Sequence, residues 1–204
     1  MSLFAKLFLD TKSVFYDVTT FRYYLLVQTE PTTSARQVVG FFSKEKMSWD
    51  NNNVACILVF PPWQRKGLGQ MLMAVSYELS RREGRIGGPE KRTCCERNDV
   101  KQVFSLTDLT ALSSLGRKAY LAYWSAALAR VLVSSKAKRV TVSEIVDKTF
   151  ILPEDVISAL REMNVINASA TAVTVDREAL VVWAQENKLS LTPHVTAQGF
   201  VETS

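Results

Sequence analysis

The residues best placed to do chemistry lie in one stretch, Pro61-Pro62-Trp63-Gln64-Arg65-Lys66-Gly67-Leu68-Gly69-Gln70. It follows an apolar run, Asn53-Val54-Ala55-Cys56-Ile57-Leu58-Val59-Phe60, and leads into a segment with helical spacing. Glycines at such a junction let the backbone approach a ligand closely, and successive N–H groups then point outward. A helix N-terminus adds positive potential, so a phosphate is welcome there. Arg65 and Lys66 add formal charge. No Gly-Lys-Ser/Thr is present, so this is not a Walker loop. The third glycine of the dinucleotide fingerprint would fall at Leu72, so it is not a Rossmann turn either. By itself the stretch reads equally well as a glycine-containing turn with solvated basic residues. On local evidence Cys56 is a small buried hydrophobe, and Glu90 is a surface carboxylate in a Gly-Pro turn.

Composition bounds the possibilities. The chain has 204 residues, 47% of them hydrophobic and 22% charged, which argues against disorder. That length implies one domain, or one domain plus a small appendix, and a core that needs no disulfides or metal. No apolar run reaches the roughly 18 residues needed to cross a bilayer, and no membrane partner is expected. The opening Met1-Ser2-Leu3-Phe4-Ala5-Lys6 lacks the pattern of a secretory signal. Lys and Arg number 25 against 20 Asp and Glu, a net charge of +5. This excess fits an anionic ligand or an acidic partner, and does not by itself mean nucleic-acid binding. Three cysteines, Cys56, Cys94 and Cys95, are no disulfide framework and point to a reducing, intracellular compartment. The single histidine, His194, removes most His-based catalysis and argues against a His/Cys zinc site.

The elements that must position the loop follow from patterning. Strands are expected at Lys12–Val18, Arg22–Gln28, Val38–Ser43 and Asn53–Phe60, the last buried on both faces. Glu30–Arg36 and Ser48–Asn52 read as hairpin turns. A helix is expected from near Gly67, burying Leu68, Met71, Leu72, Val75 and Leu79 and stopping at Gly84. A second fits Ser114–Val133, carrying Leu115, Tyr120, Tyr123, Trp124 and Leu128. Strands followed by helices make this an α/β (α+β) protein. Beyond Lys136-Ala137-Lys138-Arg139 come a short helix at Val142–Val146 and another from Pro153, with acids in its first turn. β-like runs follow at Val165-Ile166 and Ala172–Val175. Two helices and a hairpin in this order resemble a winged helix. The division expected is residues 1–135 as a core and 136–204 as a winged-helix-like region.

Several segments occur together and in order: Leu7-Phe8-Leu9-Asp10-Thr11-Lys12, Tyr16-Asp17-Val18, Gly40-Phe41-Phe42-Ser43-Lys44-Glu45-Lys46, Asn53–Leu58, Pro61–Gly69, Ser76-Tyr77-Glu78-Leu79-Ser80 and Gly88-Pro89-Glu90-Lys91. Together they resemble the MYST family of histone acetyltransferases, over residues 4–91 and again over about 113–166. The Asn-rich turn and Phe60-Pro61-Pro62-Trp63 look most like its fungal "something about silencing" branch.

The resemblance implies an N-acetyltransferase-like mixed sheet with flanking helices, using acetyl-CoA as cosubstrate. It implies transfer of acetyl to a histone tail lysine, histone H4 first, within a chromatin complex in the nucleus. Acyl transfer needs a neutral amine, yet lysine titrates near 10.4. A general base must therefore take a proton, and the resemblance assigns that role to Glu90. Partial burial would raise its pKa toward a useful value. Cys56 matches the family's active-site cysteine. Either it accepts the acetyl group first, or lysine attacks directly and Cys56 only shapes the pocket. Apolar burial disfavours a thiolate, so direct attack is preferred. Ile57 and Val59 would offer backbone groups to the acetyl carbonyl and the pantetheine arm. Arg65, Lys66, Gly67, Gly69 and Gln70 would hold the pyrophosphate, Ser113 would touch the cofactor, and Lys12 would be autoacetylated.

Departures from the family pattern also carry expectations. The chain starts after the position of the family's zinc finger, so no metal is expected. Residues 92–112 separate Lys91 from Ser113 where the family runs almost directly on, and read as an insertion. If it displaces Glu90, the chain is a catalytically weak subunit serving complex assembly. A serine found in many relatives is Ala122 here. A basic histone tail would require a local acidic groove, with Asp17, Glu45 and Asp50 as its candidates. Lys136, Lys138 and Arg139 form a small basic cluster, and nucleic-acid contact there would be weak and salt-sensitive.

Overall fold

The computed structural model describes residues 18–90, 112–135, 140–169 and 172–200. Lys12, Asp17, most of the 92–112 segment, both remaining cysteines and the 136–139 cluster lie outside the described residues. Val18–Thr20 forms a 3-10 turn, and the rest of the strand expected at Lys12–Val18 lies outside the described residues. β1 (Phe21–Thr29) and β2 (Arg36–Glu45) form an antiparallel hairpin, with an irregularity between Leu26 and Val27. Tyr24 stacks on Phe42 across this pair, with ring centroids 4.6 Å apart. Such cross-strand aromatic contacts favour one register over its neighbours.

The expected strand Asn53–Phe60 is divided. β3 (Asn52–Val54) pairs in parallel with β5 (Gly88–Pro89), while β4 (Cys56–Val59) pairs antiparallel with β2. Ala55 lies between them, and its N–H reaches the Ser43 carbonyl at 2.8 Å. β4 is therefore the outer strand of the order β1-β2-β4, and all its residues are half-buried. The expectation of burial on both faces fails for β4, whose outer edge no strand pairs among the described residues, while Asn53 and Val54 are buried. Gly40 fits the crossing: a Cβ there would stand 2.8 Å from the Leu58 carbonyl and 3.5 Å from Leu72 Cδ1.

α1 (Leu68–Glu83) starts at Gly67 and ends at Gly84, which adopts a left-handed φ of 66°. Its fully buried residues are Leu72, Met73, Ser76, Tyr77 and Ser80 rather than the single stripe expected from spacing. The helix is sandwiched. Leu72, with Val75 and Leu79 partly buried, packs on Phe42 and Val54 of the sheet. Met73 and Tyr77 turn to the other side, into the main core. That core is built on α2 (Ser114–Ser134), whose Tyr120, Tyr123, Trp124, Leu128 and Leu132 are buried, while Leu115 is exposed.

α3 (Val142–Thr149) opens with a capping box, in which Thr141 and Glu144 satisfy each other's backbone N–H groups. α4 (Pro153–Glu162) begins on proline, with Glu154 and Asp155 in its first turn. An antiparallel pair, β6 (Ile166–Ser169) and β7 (Ala172–Val175), follows, and then α5 (Arg177–Glu186) with Asp176 as its cap. Ile145, Val156, Leu160 and Leu180 from these elements join the cluster around α2. One core thus runs from α1 to α5, across residue 135.

The centre of that core holds an aromatic group. Trp124 Nε1 donates to the Tyr77 hydroxyl at 2.7 Å, and Tyr77 stacks on Tyr123 at 5.3 Å. The Tyr120 hydroxyl is buried with no hydrogen-bond partner. Burial pushes the phenols of Tyr77, Tyr120 and Tyr123 well above their ordinary range. The variants Tyr77→Phe and Tyr120→Phe should therefore differ. Tyr77→Phe strands a buried indole N–H and costs about 1–3 kcal/mol in urea unfolding, whereas Tyr120→Phe removes an unsatisfied hydroxyl and is neutral or stabilising. Above pH about 10 the unfolded chain releases these phenolic protons first, so stability falls as pH rises. The slope is about 1.4 kcal/mol per pH unit for each tyrosine, and melting temperatures scanned from pH 8 to 11 would read it.

Candidate functional site

The site begins with the direction of backbone groups on β4. Phe60 N–H donates to the Val39 carbonyl at 2.9 Å, and the register sets Leu58 opposite Phe41. Groups alternate between the two edges of an antiparallel strand. Leu58 and Phe60 therefore face β2, and Ile57 and Val59 face the other edge, where no strand pairs among the described residues. The Val59 carbonyl is taken by Gln64 Nε2 at 2.8 Å, which folds the loop back on its own strand. The N–H of Val59 and both backbone groups of Ile57 remain on the open edge.

The loop continues from that edge. Pro61–Trp63 makes a 3-10 turn, and Arg65 and Gly67 both take positive φ, 63° and 77°. Gly67 is the N-cap of α1 and supplies no side chain, so no side-chain cap closes the helix. The first internal bond is Met71 N–H to the Gly67 carbonyl at 3.2 Å. The N–H groups of Leu68, Gly69 and Gln70 therefore lack helical partners and carry the positive end of the dipole. A Cβ built on Gly67 or Gly69 would meet nothing within 4 Å. Arg65 and Lys66 are exposed beside this open backbone. The arrangement is an anion cradle fed by a strand edge.

Gln70 has a further duty that spacing did not reveal. Its side-chain amide donates to the Ala119 carbonyl at 3.1 Å, tying the start of α1 to α2. Ser113 is the cap of α2, accepting from Gly116 N–H at 3.1 Å. Both helix starts are thus held at one end of the molecule. Just before β4, at the end of β3, the Val54 carbonyl accepts from Glu90 N–H at 2.7 Å. Glu90 therefore stands beside the residue two before Cys56. The expected partial burial of Glu90 is not found: it is exposed, because it follows a two-residue strand at the rim of the sheet. Cys56 is half-buried and forms no disulfide. Among the described residues no group of His, Cys, Asp and Glu gathers as a metal site.

Asp155 is the residue that the sequence concealed. It was legible only as a first-turn acid, yet it is buried, 1% exposed. Its Oδ2 would be 3.1 Å from a Cβ on Gly88, and Leu152 Cδ1 would be 2.8 Å from the same atom. β5 thus rests directly on the start of α4, which sets the height of Glu90.

A model of the MOZ/SAS family matches residues 1–95 and 102–198. The break falls inside the segment expected to be inserted. The chain is 42% identical over 167 residues to the histone acetyltransferase MOF of Drosophila melanogaster, covering 81% of the chain and 18% of that protein. It is 40% identical to the histone acetyltransferase Tip60 homolog of Caenorhabditis elegans, covering 80% of the chain and 32% of the relative. To the human histone acetyltransferase KAT6A it is 36% identical, covering 89% of the chain and 8% of the relative. The chain therefore spans no more than about a third of the length of these curated relatives.

The two loop glycines should respond oppositely to alanine. Gly67→Ala forces a side chain into a left-handed conformation and costs about 1–2 kcal/mol. Gly69→Ala meets open space in a helix first turn and leaves stability unchanged, or raises it by up to about 1 kcal/mol. Denaturant midpoints of the two variants measure the difference.

Proposed function

The chain belongs to the MOZ/SAS, or MYST, family, and on that premise we propose that it transfers acetyl from acetyl-CoA to a histone tail lysine, histone H4 first. The observation that carries this reading is the edge of β4, unpaired among the described residues, running into an uncapped helix start. Acetyl-CoA is a linear amide-bearing arm ending in a diphosphate, and the site offers those two features in that order. The Val59 N–H and the backbone of Ile57 take the amides and the acetyl carbonyl as an added strand would. The N–H groups of Leu68, Gly69 and Gln70, with Arg65 and Lys66, take the pyrophosphate. Ser113 contacts the cofactor from the start of α2.

Lysine binds as its ammonium form and must lose a proton before it attacks. The Glu90 carboxylate accepts that proton, and the neutral nitrogen then bonds to the thioester carbon as the carbon–sulfur bond breaks. The nitrogen's surplus proton passes to the departing sulfur, so the coenzyme leaves as thiol. Exposure of Glu90 lets the proton pass on to solvent. Cys56 lines the pocket at the start of β4, and lysine attacks directly. The chain acts in the nucleus within a chromatin complex, with residues 136–204 closing the substrate groove as scaffold and Lys12 as the autoacetylation site.

Transfer from radiolabelled acetyl-CoA to an H4 peptide tests this. Glu90→Gln should lower turnover by roughly 10²–10⁴-fold while calorimetry finds coenzyme A binding intact. Cys56→Ala should keep measurable turnover. Its complete loss with fold and cofactor binding preserved would favour an acetyl-cysteine route. Wild-type chain that binds coenzyme A without turnover would point to the assembly-subunit alternative.

A further inference from the structure

Glu45, a candidate for an acidic substrate groove, lies instead in a basic cavity at the far end of α1. The 16 residues of that helix put this cavity about 24 Å from the diphosphate loop, at 1.5 Å per residue. The cavity has a volume of about 290 Å³, and Arg22, Lys44, Lys46 and Arg85 line it against only Glu45 and Glu83. One carboxylate is already engaged, since Glu83 pairs with Lys44. Arg22, Lys46 and Arg85 are exposed and make no ion pair among the described residues. Separated in the chain, they meet because the ends of β1 and β2 converge on the end of α1.

An exposed aromatic residue adjoins the lining of this cavity in the chain. Ser48 lines it, and its neighbours Met47 and Trp49 are 78% and 97% exposed. The fold holds them there. Asn51 takes a left-handed φ of 56°, and Asn52 N–H donates to Ser48 Oγ at 3.0 Å, closing the turn with both large side chains outward. An indole left in water beside a surplus of cations matches a ligand with a flat ring and an adjacent negative charge. An unpaired nucleic-acid strand has both, since its bases stack on aromatic side chains while basic groups track its phosphates. A duplex hides its base faces, and an acidic peptide offers charge without the repeating ring.

We propose that this cavity and the adjoining turn bind an unpaired nucleic-acid strand, with a phosphate between Arg22, Lys46 and Arg85 and a base on Trp49. The contact is remote from the diphosphate loop and independent of acetyl transfer.

Titrating the chain with a mixed-sequence 12-nucleotide single strand, as RNA and as DNA, tests this by fluorescence anisotropy at low and physiological salt. Binding should weaken at least tenfold in Trp49→Ala and be lost in the double variant Lys46→Glu, Arg85→Glu. That variant should also flatten the salt dependence. Circular dichroism and coenzyme A affinity should match wild type for both, separating loss of this contact from loss of the fold. Equal binding of the matching duplex or of polyglutamate would overturn the proposal. So would binding indifferent to Trp49→Ala, which would place the nucleic acid elsewhere.

Discussion

A strand has two edges, and each can hold one neighbour. Residues 52–59 spend theirs unevenly: the first half pairs with β5, the second half with β2, and the change comes at Ala55. Most of the functional geometry descends from this switch. Had β5 followed β4 to its end, Ile57 and Val59 would be closed off and no linear ligand could lie along them. Because its pairing stops opposite Val54, no strand closes the outer edge of β4 among the described residues, and Glu90 is left beside the switch point. Hydrogen-bonding groups on an open edge must be satisfied by water or by a ligand. The edge is therefore both a liability and the feature that suits the chain to an extended amide-bearing cosubstrate.

What holds this arrangement is the sandwiching of α1. Leu72 on one side and Tyr77 on the other bind the sheet to the helical half, so the loop at the start of α1 cannot move without disturbing both. Gln70 adds a polar tie to α2, and Asp155 with Leu152 supports β5 from below. The tyrosines around Trp124 form the middle of the helical half, and they are unusual in leaving one hydroxyl unsatisfied. Such a group costs stability unless something offsets it, and nothing in the structure explains its retention.

The ends of α1 are chemically different. At its start, uncapped N–H groups and open glycine positions favour a diphosphate. At its end, side-chain cations gather around a cavity beside an exposed indole. Both favour anions, the first by backbone dipoles and the second by formal charge. The second also responds more to salt, because its charges stand in solvent. Glu45, one of three residues expected to form an acidic groove, stands in this basic ground instead.

Much of the site was legible in the residues themselves. The helix start near Gly67, the stop at Gly84 and the proline start of α4 are local preferences, decided within a few bonds, and so the chain displays them directly. The ordered motifs around Gly67, Cys56 and Glu90 likewise named a family. Other features depended on which surfaces meet. The split of residues 53–60 between two partners, the exposure of Glu90, the burial of Asp155 beneath Gly88 and the convergence of Arg22, Lys46 and Arg85 involve residues far apart in the chain. Spacing cannot show them, because pairing and burial are properties of the neighbours a residue acquires, and those exist only once the chain has folded.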